Sequence, residues 1–243
     1  MKMFTFASRN TKEILRDPLN LCFGLGFPLV LILLLSAIQA NIPVPLFEIE
    51  HLAPGVAVFG LSFMTLFSAT LVAKDRTSSL LQRLYTTPMK PLDFILGYIL
   101  PLLPISLIQS AICYLVAFFL GLAPSVNILL ALVFILPISL LFVALGLLFG
   151  SILNDKAVGG ICGALLTNLS AWLSGIWFDL ELVGGVFYKI AYALPFVHAV
   201  ELERAVVASA YSEILPHFLV VLAYGILALA LAVIFFVRQT KKQ

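Results

Sequence analysis

Six long apolar runs leave this chain few ways to fold. They cover residues 21–37, 54–73, 92–120, 128–153, 158–178 and 217–237. Each meets or nearly meets the roughly 18–20 apolar residues that cross about 30 Å of hydrocarbon. The basic residues then choose the orientation. With the N-terminus inside, Lys2, Arg9, Lys12, Arg16, Lys74, Arg76, Arg83, Lys90, Lys156, Arg238, Lys241 and Lys242 all fall on the cytoplasmic side. Only Lys189 and Arg204 fall outside, as the positive-inside rule requires. The expectation is an all-α integral membrane protein of six transmembrane helices. Residues 1–243 form one transmembrane domain, with both termini at the cytoplasmic face of the cell's inner membrane.

Composition narrows the class further. The chain is 62% hydrophobic and 11% charged, where a soluble domain carries about 25% charged residues. Six spans and their loops use nearly all of it, leaving no room for a soluble catalytic domain. The formal charge of +2 reflects anchors flanking spans rather than a nucleic-acid footprint. Cys22, Cys113 and Cys162 all lie inside predicted spans and read as small apolar residues. The first run is longer than a signal peptide's core and lacks a good cleavage site after it, so it reads as an uncleaved anchor.

Residues 1–18 predict an interfacial helix. Phe4, Ala7, Thr11, Ile14 and Leu15 line one side at helical spacing, and Arg9, Lys12, Glu13 and Arg16 line the other. The loop 39–52 contains Pro43 and Pro45, and Pro54 suits the first turn of the second span. Gly146 and Gly150, then Gly159 and Gly163, are spaced for close helix packing across a short turn, Asn154 to Lys156. The stretch 182–199 tempts a seventh span, but Lys189 would sit near its centre at a cost of at least ~2.5–3.5 kcal/mol. Gly184-Gly185 and Leu194-Pro195 break it instead, so 179–216 reads as an external re-entrant helical pair. Tyr188, Tyr192 and Phe196 suit the membrane interface there, with Glu201, Glu203 and Arg204 facing water.

The informative polar segment is 74–90. Ser79 followed by Gln82 makes a capping box, Pro88 ends the helix it starts, and Leu80, Leu81, Leu84 and Tyr85 share one face. Such a helix is either a docking knob for a soluble partner or an ordinary loop helix with its apolar face in lipid. The segment resembles the cytoplasmic coupling loop of ABC-2 type transporter permeases, matching at Arg76, Leu81, Leu84, Thr87 and Pro88 and departing at Thr77, Ser79, Leu80 and Gln82. A second resemblance to the same family lies in the run Ser174 to Phe178 and in the Leu194-Pro195-Phe196-Val197-His198 stretch before the last run.

The resemblance implies a permease that pairs with a second copy of itself and with two copies of a cytoplasmic ATP-binding subunit. It implies coupling residues at Arg76, Ser79, Leu81, Gln82, Leu84, Thr87, Pro88 and Asp155. None of the eight lysines follows a glycine, so the chain lacks a phosphate loop of its own. ATP and Mg belong on the partner, with no cofactor, metal or catalytic residue here. His51, His198 and His217 are external; none shows paired ligand spacing, and a zinc site built from them stays open as an alternative. The near absence of ionisable residues within the spans argues against a proton-coupled transporter. Phe63, Thr65, Phe67 and Ser68 on the second span, with Thr167, Asn168, Ser170 and Ser174 on the fifth, could line a largely apolar path. Hydroxyls bonded back to their own helix read equally well. The expected function is ATP-driven export of a lipophilic or amphipathic molecule. Export of a glycan or glycolipid, a non-transporting assembly role and an intramembrane enzyme are the alternatives.

Overall fold

The computed structural model describes residues 2–78 and 91–240, and every regular element among them is helical. In chain order these are α1 (Lys2–Leu15), α2 (Pro18–Gln39), α3 (Ile49–Thr77), α4 (Pro91–Phe119), α5 (Val126–Ile152), α6 (155–172), α7 (Leu180–Val183), α8 (Gly185–Ala193), α9 (Pro195–Val207) and α10 (Tyr211–Thr240). Five of them, α2 to α5 and α10, are long and apolar enough to cross a membrane. The predicted coupling helix, with Ser79, Leu81, Gln82, Leu84, Thr87 and Pro88, lies outside the described residues.

Helix α3 is the axis of the bundle. Its apolar window is 89% buried, against 22% for α2 and 28% for α10. It packs against α2, α4, α5, α6 and α9. Small residues permit this. A Cβ at Gly146 of α5 would stand 2.3 Å from the Thr65 carbonyl oxygen, and one at Gly150 would stand 2.6 Å from that of Ala69. Gly163 of α6 faces Leu66, while Gly159 faces open space. The two glycine pairs therefore do not pack α5 on α6, as their spacing suggested. Gly146, Gly150 and Gly163 each meet α3.

Helix α6 departs from the expected fifth span, which ran over 158–178. It ends at Trp172 and is π-helical over Gly159–Leu166, and it is not among the five long apolar helices. Its course is nevertheless a long one. The turn before it is held by Arg76, which donates to the Leu153 carbonyl. The segment after it reaches Gly55, where a Cβ would sit 3.2 Å from Ile176. Residues 55 and 76 stand about 32 Å apart along α3, at 1.5 Å per residue.

The remaining departures are local. Helix α3 starts at Ile49, so Pro54 sits inside it rather than in its first turn. Helix α1 turns Phe6, Ala7, Asn10 and Ile14 inward. Phe6 packs edge-on against Phe94 and Tyr98, and Asn10 donates to the Gly97 carbonyl at 3.0 Å. Phe4 and Leu15, expected on the same apolar face, stay 65% and 60% exposed. Segment 179–216 breaks where expected. Gly184 and Gly185 take φ of +61° and +58°, which glycine adopts without penalty. Leu194 is extended before Pro195 opens α9. The result is three short helices rather than two, and Phe196 is buried, stacking on Phe142.

Candidate functional site

Three consecutive residues at the end of α3 tie the root of the predicted coupling loop to its surroundings. Lys74 lies 3.9 Å from the Asp17 carboxylate at the start of α2. Asp75, only 1% exposed, accepts from Arg9 Nη1 of α1 at 2.7 Å and from the Tyr98 hydroxyl of α4 at 2.8 Å. Arg76 donates to the carbonyls of Gly150 at 2.7 Å and Leu153 at 3.1 Å, and so satisfies the free end of α5. Arg9 also pairs with Glu13. Asp155 is exposed beside this cluster, in the first turn of α6, where Asn154 accepts from the Ala157 amide at 2.8 Å as the cap. Arg76 and Asp155 thus lie at one end of the bundle. Asp75, Arg9 and Tyr98 were missed, because in sequence Asp75 looks like one more loop charge.

The proposed path residues divide. Phe63 and Phe67 are buried on α3. Phe63 joins Phe27 of α2, at 5.9 Å between ring centroids, and Phe59, at 6.0 Å. Phe59 in turn meets Trp177 at 6.0 Å. Thr167 and Ser170 are buried, but their hydroxyls bond back to Cys162 and Thr167 carbonyls of their own helix. Asn168 is exposed and donates to the Ala164 carbonyl. Thr65 and Ser68 donate across to the Phe142 and Val143 carbonyls of α5, both at 2.9 Å. These two hydroxyls join helices rather than line a path.

The opposite end of the bundle opens into a cavity of about 930 Å³. Glu48, Glu50, Trp177, Asp179, Glu181 and Glu213 line it. Arg204 reaches into its wall, donating to Glu201 at 2.9 Å and to the carbonyls of Gly175 and His51. Arg204 is therefore a brace between α9, the end of α6 and the start of α3, not a solvated charge.

Glu203 overturns its expected place in water. It is fully buried, accepts from the Tyr114 hydroxyl of α4 at 2.7 Å, and leaves Oε2 without a partner among the described residues. Burial pushes its carboxyl up to about 8. The signal was present in the sequence: Phe196, Ala199, Val200, Glu203 and Val206 share one helical face.

Comparison with known proteins identifies the family. Over 196 residues the chain is 29% identical to "ABC transporter G family member 20" of Dictyostelium discoideum, an alignment that covers 76% of this chain and 26% of that protein. The chain thus matches about a quarter of that relative's length. The family model of the ABC-2 type transporters matches residues 1–208. That match over most of the chain, together with its long apolar helices, places it in the ABC-2 type transporter family, as a membrane component of a transporter.

Proposed function

We propose that the chain is the permease half of an ATP-driven exporter, with segment 74–90 as the element that receives force from a cytoplasmic ATP-binding subunit. The observation that carries this reading is the anchoring of Lys74, Asp75 and Arg76 to α2, to α1 and α4, and to α5. A loop rooted in that way delivers any displacement of its tip to the whole bundle. ATP and Mg would be held by the partner, and two permease copies with two ATP-binding subunits complete the assembly.

In this reading α6 is the sixth crossing, supported by its run along α3 from the Arg76 level to the Gly55 level. Both termini then lie in the cytoplasm and the acidic cavity faces outward. The substrate is lipophilic or amphipathic and passes the faces of α3 and α6 that carry Phe63, Phe67, Thr167, Asn168 and Ser170. Burial there is worth roughly 25 cal/mol per Å² of apolar area.

The test is ATP-dependent uptake of a fluorescent amphiphile into inside-out vesicles that carry the chain and its ATP-binding subunit. Uptake should survive dissipation of the proton gradient and should vanish in Leu84→Asp, while membrane insertion is kept. Collapse of uptake under an uncoupler at unchanged ATP would reject the mechanism. Normal transport by Leu84→Asp would reject the docking role of 74–90.

A further inference from the structure

Two histidines that sequence spacing kept apart meet between α9 and α10. His198 Nδ1 and His217 Nδ1 stand 2.8 Å from each other, and both side chains are half-buried. His198 Nε2 lies 3.0 Å from the Tyr192 carbonyl oxygen. A carbonyl only accepts, so Nε2 carries a proton and neutral His198 presents a lone pair at Nδ1. An imidazole that gives its other N–H to a backbone carbonyl is held as metal-binding histidines are held. The Tyr192 ring meets the His198 ring edge-on, 5.7 Å between centroids at 87°, and Tyr188 stacks on Tyr192 at 4.4 Å. Two carboxylates stand on the same helix faces. Glu201 follows His198 by three residues and Glu213 precedes His217 by four. Glu201 is engaged by Arg204, whereas Glu213 is exposed.

We propose that His198 and His217 bind a divalent transition-metal ion of the zinc class, each through Nδ1. His217 now donates its Nδ1 proton to His198. To bind the ion it moves that proton to Nε2, through water, so that two neutral imidazoles offer two lone pairs and no net proton is released. Zn–N bonds of about 2.0–2.1 Å in tetrahedral geometry set the two nitrogens about 3.3 Å apart. The rings need part by about half an ångström from their present 2.8 Å and each turn by about 35°, so that both lone pairs meet at the ion rather than at each other. Among the described residues no group of three or more His, Cys, Asp and Glu could hold an ion, so water completes the shell. Imidazole donors favour zinc, copper and nickel over magnesium and calcium. The ion would clamp α9 to α10 in place of one hydrogen bond. The two imidazoles and their backbone hold require no transport role.

The experiment titrates Zn²⁺, Ni²⁺ and Mg²⁺ into the purified full chain in detergent micelles, followed by calorimetry and by the melting temperature. Zn²⁺ and Ni²⁺ should each bind at one site per chain and raise the melting temperature, and Mg²⁺ should do neither. His198→Ala and His217→Ala should each weaken binding by at least about tenfold and abolish the thermal shift. His51→Ala should bind as the wild type does. Should either Ala variant fail to fold, His→Gln at the same position replaces it. Absence of saturable binding by the wild type, or wild-type affinity in both single variants, would overturn the proposal.

Discussion

Asp75 shows how much one side chain can decide in such a bundle. A carboxylate 1% exposed is tolerable only with partners; Arg9 and Tyr98 supply them at Oδ2, while Oδ1 has none among the described residues. Hydrogen bonds to a charged group are worth about 1.5–3 kcal/mol. Arg9→Ala should lower stability toward the small end of that range, because its side chain is 38% exposed and partly screened. Thermal unfolding in micelles measures it, and Arg9→Ala combined with Asp75→Asn should recover part of the loss. Glu203 predicts a pH dependence of definite sign. Its folded value near 8 lies above its ordinary 4.5, so between those values the folded state binds the extra proton. Stability from this group is full below pH 4.5 and is lost as pH rises through 8. Unfolding curves should show that decline for the wild type, and Glu203→Gln should flatten it. An unchanged slope would mean that Glu203 is not the titrating group. Its orphaned Oε2 and its Tyr114 bond could not be read from sequence, because the partner lies 89 residues away.

At the scale of elements, helix packing turns on which glycine meets a backbone. Gly146→Ala would drive a methyl into the Thr65 carbonyl, while at Gly160 a methyl meets nothing within 4 Å. The first should cost about 1–3 kcal/mol and the second should lie within about 0.5 kcal/mol of neutral, measured by melting in micelles. The spans themselves were legible: five of the six apolar runs became long helices, since hydrocarbon leaves helix as their one open-ended form. The breaks at Gly184-Gly185 and Leu194-Pro195 were legible for the same kind of reason, fixed by φ and by the proline ring. Packing partners were not. Gly-x-x-x-Gly spacing announces a close approach without naming the helix approached, and here it is α3 rather than the chain neighbour. The amphipathic pattern of α1 likewise identified a helix and two of its inward residues, Ala7 and Ile14, but missed Phe6 and Asn10, which the α4 surface with Phe94, Gly97 and Tyr98 takes.

For the molecule as a whole, the reading of α6 as a crossing makes a parity prediction. Cysteines placed at Lys2 and Lys241 should label from one side of sealed vesicles, and a cysteine at Lys189 from the other. Labelling of Lys2 and Lys241 from opposite sides would leave an odd number of crossings and remove α6 from the count. The sequence placed Arg76 and Asp155 at span ends, while the buried anchor beside them emerged only when α1, α3 and α4 were brought together. That anchor also limits how the bundle can move. Successive residues of an α-helix point about 100° apart, so Lys74, Asp75 and Arg76 fasten α3 over about 200° of its circumference. A torque about the helix axis would strain the two ion pairs and the Arg76 hydrogen bonds together. Tilt and axial displacement of α3 would instead pull through those contacts on α1 and on the ends of α2, α4 and α5. The last turn of α3 thus acts as a keyed shaft, which rocks its surroundings and does not spin within them.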